Sequence, residues 1–202
     1  MLVRHRLNGV EYWATPKMTI VSKDIFSLEY LYYMLHEWLV EHSWCDRSDK
    51  DFRETYYEQR DFGGGPREIW VRWRLKKESK NIRYKDALFS YELDIDMHAL
   101  GVKPTDVVVK GKKLGGDTGE MEVNIQGRVI MNPKYFKTDL LKQIFKYIIK
   151  RPFKNRYDAH QTDLANELTR LQEAVKTYFQ IETYLDERQL EQFHLSKSQE
   201  NL

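Results

Sequence analysis

One cysteine, five prolines and no apolar run of membrane-spanning length limit what this 202-residue chain can be. The lone thiol, Cys45, excludes an internal disulfide and a multi-cysteine zinc site within one chain, and it fits a reducing, cytoplasmic compartment. A transmembrane helix requires about 18 or more consecutive apolar residues, and none occur. The first 17 residues, MLVRHRLNGVEYWATPK, lack the apolar stretch of a secretory signal. They show no clear period, so they read as an N-terminal extension.

Several catalytic signatures are also missing. HEWLVEH, residues 36 to 42, begins like the zincin helix motif, but its second histidine comes six positions after the first. Six residues turn a helix by about 600°, which sends His36 and His42 to different faces, so one ion cannot be chelated by both. GGGP and GKKLGGDTG hold glycines, yet neither ends in the G-K-[ST] of a phosphate loop, and both lie between strand-like segments. EMEVN places Asn124 where the acidic–basic signature of triphosphate-processing tunnels needs a lysine. The acidic row Glu92, Asp94, Asp96 with Glu120 and Glu122 therefore reads as a solvated face of cross-strand pairs. No catalytic residue, metal site or cofactor is expected.

What the chain does have is clear periodicity. MTIVS, residues 18 to 22, reads as a short strand. Ser27 is placed to cap a helix over roughly 28 to 44 that carries Leu28, Leu31, Tyr32, Leu35, Trp38 and Leu39 on one face. From about residue 52 to 131 the period becomes two, as in REIWVRWRLKK, LFSYELDIDMH and GEMEVNIQGRVIM. The clusters GGGP, ESKN, GVKP and GGDTG read as turns, with DVVVKGKK as a strand between them. The polar faces alternate in sign: Glu54 and Glu58, then Arg72, Arg74 and Lys76, then Glu92, Asp94 and Asp96, then Lys110 and Lys112, then Glu120 and Glu122. That pattern sets opposite charges face to face in a meander. A helix from Thr138 or Asp139 to Pro152 and a second over about 158 to 185, striped by Leu164, Leu168, Leu171, Val175 and Tyr178, complete the domain. The expectation is an α+β domain over residues 18–185. It has a five- or six-stranded antiparallel meander with an N-terminal helix and a long C-terminal helical hairpin on one face, and a polar tail follows over 186–202.

Charge is unevenly distributed. Residues 137 to 156 hold seven cations against Asp139, a local charge of +6 that leaves −4 for the rest of the chain. Lys142, Lys146 and Lys150 recur at the four-residue helical spacing beside an apolar arc, Leu140, Leu141, Ile144, Phe145, Ile148 and Ile149. Arg151, Lys154 and Arg156 extend the cationic run. These six cations are the candidate anion-binding residues. They suit a membrane surface, a nucleic acid or an acidic protein, with any membrane contact peripheral. The element order over residues 18 to 185 resembles the helix-grip architecture of START-like proteins, which implies an apolar ligand or lipid held between sheet and long helix. WLVEHSW, EIWVRWR and GKKLGGDTGEMEV are similar to a group of archaeal proteins of unknown function, a likeness that carries no activity. The favoured expectation is a non-catalytic binding or assembly module. A helix-grip carrier is the alternative.

Overall fold

The computed structural model describes residues 10–47, 52–78, 89–109, 112–131 and 154–183. Seven strands and two helices order themselves as β1 (Val10–Ala14), β2 (Met18–Ser22), β3 (Ile25–Phe26), α1 (Leu28–Glu41), β4 (Glu54–Asp61), β5 (Arg67–Glu78), β6 (Phe89–Val109), β7 (Lys112–Met131) and α2 (Lys154–Thr183). The class is α+β with one open antiparallel sheet.

β4, β5, β6 and β7 form the expected meander. Turn chemistry starts it. Gly63 and Gly64 adopt positive φ, and the Gly65 amide donates to the Phe62 carbonyl, closing the hairpin between β4 and β5. The other edge of β7 is shared end to end by three short strands. β1 pairs along Arg128–Met131, β2 along Met121–Ile125 and β3 along Asp117–Thr118. Two expectations change here. Val10–Ala14, read as part of an extension, is a sheet strand. Among the described residues the sheet has seven strands, where five or six were expected.

DVVVKGKK is not a separate strand either. β6 runs unbroken to Val109, and β7 starts at Lys112. The GVKP glycine does not reverse the chain. Gly101, at φ 69°, sits in a β-bulge where the register shifts between Leu100↔Glu120 and Lys103↔Thr118. Beyond the bulge, Lys103–Val109 and Lys112–Thr118 continue as a two-stranded arm past the last β5 partner, Val102.

Both helices cover the same sheet face. Ile69, Val71, Trp73 and Leu75 of β5, Leu93, Ile95 and Met97 of β6, and Met121, Val123 and Ile125 of β7 point into it and are buried. α1 contributes Leu31, Leu35 and Leu39, all fully buried, one per helical turn. The Ser27 hydroxyl accepts from the Tyr30 amide at 3.3 Å and caps the helix as its sequence predicts. α2 buries Leu164, Leu168, Leu171 and Val175 on the sheet. Gly127 makes that approach possible, because a Cβ there would lie 2.4 Å from Leu168 Cδ1.

Two polar ties lock the helices. The Tyr178 hydroxyl of α2 donates to the Ser27 carbonyl at 2.8 Å and accepts from the Ser27 amide at 3.0 Å, pinning α2 to the start of α1. At the other end of α1, the Lys77 ammonium of β5 donates to the His42 carbonyl (2.7 Å) and to Glu167 of α2 (2.6 Å). Glu167 also accepts from the Trp44 indole at 2.9 Å. A lysine at a helix C-terminus satisfies an orphan carbonyl and opposes the negative end of the helix dipole.

Candidate functional site

The cationic run is divided by what the structure describes. Lys142, Lys146, Lys150 and Arg151 lie outside the described residues, as do the first helix of the expected hairpin and the polar tail. Lys154 and Arg156 belong to the first turn of α2, which starts four residues earlier than the periodicity predicts. No acidic residue occupies that turn. The N-terminal end of a helix carries roughly half a positive charge, so cations there are repelled by the backbone and an anion is attracted. Placing Lys154 and Arg156 at this end is electrostatically unfavourable for the helix by itself.

The acidic row sits on the sheet face away from the helices and follows the predicted sign pattern against β5, whereas Glu54 and Glu58 of β4 lie opposite Trp73 and Trp70 instead of the β5 cations. Arg72 lies opposite Asp96, Arg74 opposite Asp94, and Lys76 opposite Glu92. Arg74, whose side chain is only 7% exposed, reaches Asp96 at 2.6 Å and Asp94 at 3.6 Å. Arg128 of β7 closes on the second Asp94 oxygen at 2.6 Å. Glu92 and Asp94 face Arg128 and Gln126 across the β6–β7 ladder, and Lys112, expected on a strand of its own there, lies at the start of β7 in the arm. Asp94 and Asp96 are each engaged by an arginine, an arrangement that holds a sheet together instead of presenting an open ligand set. Glu120 pairs with the exposed Lys23 at 3.3 Å, and Glu122 accepts from the Asn124 amide at 2.5 Å.

His36 and His42 take separate partners. The His36 ring meets Phe52 edge to face at 4.9 Å, and His42 stacks on Trp38 at 3.7 Å while its Nδ1 contacts the Trp38 carbonyl at 2.9 Å. Among the described residues no group of three or more His, Cys, Asp or Glu side chains is placed to hold a metal ion. No described helix is long and apolar enough to cross a membrane.

An apolar ligand between sheet and long helix would need space along α2. At Gly127 there is none, since Leu168 lies against the backbone where a side chain would begin. A different concavity exists on the outer side of α1. It is a groove of about 780 Å³ between that helix and the segment entering β4, lined by tyrosines, Phe52 and carboxylates. No sequence motif marks it, because its residues meet only after α1 packs beside β5. No family model, curated protein or solved structure matches this chain.

Proposed function

We propose that this protein is a non-catalytic binding or assembly module that engages an anionic partner through Lys142, Lys146, Lys150, Arg151, Lys154 and Arg156. The observation that supports this most is the start of α2, where Lys154 and Arg156 stand at the positive end of a 30-residue helix with no acidic side chain in the first turn. Charge–dipole complementarity alone favours acidic residues there. An anion docked at that end would use the helix dipole and the two cations together. The −4 charge of the remaining chain directs such a partner to this one region. The apolar stripe of α2 is already buried on the sheet, so the contact is electrostatic at this helix.

The test is to reverse Lys142, Lys146 and Lys150 to glutamate and to measure binding to anionic liposomes, neutral liposomes and a nucleic-acid duplex over a salt series. The wild-type chain is expected to bind a polyanion with a steep loss of affinity as salt rises, because each neutralised charge releases counterions. The triple variant is expected to lose that binding while keeping the melting temperature. Failure of the wild type to bind any polyanion at low salt overturns the proposal.

A further inference from the structure

We infer that the groove beside α1 is a binding site for an extended organic cation with more than one ammonium group. This goes beyond the anion-binding reading, since it concerns an opposite charge on another element. Three carboxylates, Glu29, Glu37 and Glu54, line the groove, against Arg47. Between them stand aromatic faces, Tyr32 and Tyr33 from α1 and Phe52 from the segment before β4. Aromatic rings with nearby carboxylates attract alkylammonium groups, the rings through their negative faces and the carboxylates through direct charge.

Glu54, itself exposed, is the carboxylate that the aromatic residues hold in place. Its Oε2 accepts from the Tyr32 hydroxyl at 3.0 Å and from the Trp73 indole at 3.0 Å. Both donors are neutral. Trp73 is fully buried, and its ring meets Tyr32 and Phe52 edge to face, each at 4.8 Å. The carboxylate is thus oriented by two hydrogen bonds from an aromatic cluster, whereas Asp94 and Asp96 on the opposite sheet face are paired with arginine. The length follows from α1. Glu29 and Glu37 are eight residues apart on one helix, about 12 Å along its axis. That separation suits ammonium groups joined by methylene chains whose apolar stems lie on the rings. A free polyamine and the lysine side chains of a basic peptide share this chemistry.

The experiment is calorimetric titration of the full chain with spermidine, and separately with a tetralysine peptide, at low and raised salt. Saturable one-to-one binding is expected with at least one probe. Binding of spermidine alone assigns a free polyamine, and binding of tetralysine assigns a peptide. Glu54→Gln keeps an oxygen that can accept from Tyr32 and Trp73 while removing the charge. It is expected to weaken binding about tenfold, the scale of one charge-assisted contact. Glu37→Gln, on the outer side of α1, is expected to weaken it in the same direction with no change in melting temperature, and Arg47→Glu to strengthen it. Absence of saturable binding with both probes overturns the inference. So does binding that ignores Glu54→Gln and Glu37→Gln, since it would then be diffuse attraction to the acidic surface.

Discussion

The core face of the sheet and its opposite face are built from the same strands, residue by residue in alternation. On the core face Trp73, Leu93, Ile95 and Ile125 are fully buried beneath α1 and α2. At the alternate positions of the same strands, the opposite face carries Arg74, almost enclosed, with the half-buried Asp94, Asp96 and Arg128, all held by ion pairs. The core face is stabilised by area removed from water, which tolerates volume-conserving change. The polar face depends on every charge keeping its partner, because an enclosed charge left alone is costly. Shape protects the first and pairing the second.

The largest effect is expected where the helix meets the sheet. Leu168→Ala should destabilise the fold by about 2–5 kcal/mol, the range for deleting a buried leucine side chain. In Gly127→Ala the new methyl group would collide with Leu168 Cδ1. Combined with Leu168→Ala it occupies the space just vacated. The double variant should therefore cost less than the sum of the singles, and denaturant melts of the four-member cycle measure this coupling. Strict additivity would mean that α2 does not rest on Gly127.

Next comes the polar face. Arg74→Met removes the guanidinium shared by Asp94 and Asp96, while Arg128 still holds Asp94. A loss of roughly 2–4 kcal/mol is expected for breaking an enclosed pair from one side. Lys23→Ala, which breaks an ion pair whose side chains are 73% and 42% exposed, should change the same melt by no more than about 0.5 kcal/mol. Equal effects would show that the polar face is as wet as the surface.

The smallest effect belongs to the exposed strand β4. Glu58 accepts from the Tyr56 hydroxyl and from Arg60, and these bonds hold its carboxyl below the usual glutamate range. A lowered folded-state pKa adds stability above the unfolded pKa, and that contribution disappears as pH falls through the folded value. The same hydrogen bond raises the Tyr56 phenol. A carboxyl titration followed by NMR should place Glu58 below an ordinary glutamate. Tyr56→Phe should move it upward, with the melting temperature near neutral pH almost unchanged.

The alternation that separates the two faces was legible in the sequence, down to Arg74 facing Asp94 and Lys76 facing Glu92. The Ser27 cap and the α1 stripe were legible for the same reason, since they depend on neighbours in the chain. β1 was not, because VEYWA is too short to show a period and its partner, Arg128–Met131, lies over a hundred residues away. The arm was misread for a chemical reason. Glycine and proline at GVKP signal reversal in most contexts, but Gly101 uses its positive φ for a bulge, and the chain continues straight on. Of the candidate site, the cationic run was visible as charge alone. The groove was invisible because Glu54 becomes distinctive only when Tyr32 and Trp73 reach it.

β7 pairs along one edge with β6 and along the other with β1, β2 and β3. Thr19 bonds to Asn124, 105 residues later in the chain. During synthesis at about 5–20 residues per second, β2 therefore emerges roughly 5–20 s before the strand that will receive it. Through that interval α1 can form, but the three N-terminal strands have no template. The nascent chain must carry them unpaired with β7 until then. Once Lys112–Met131 leaves the exit tunnel, one strand completes the sheet on both sides, and only then can α2 follow to cover it.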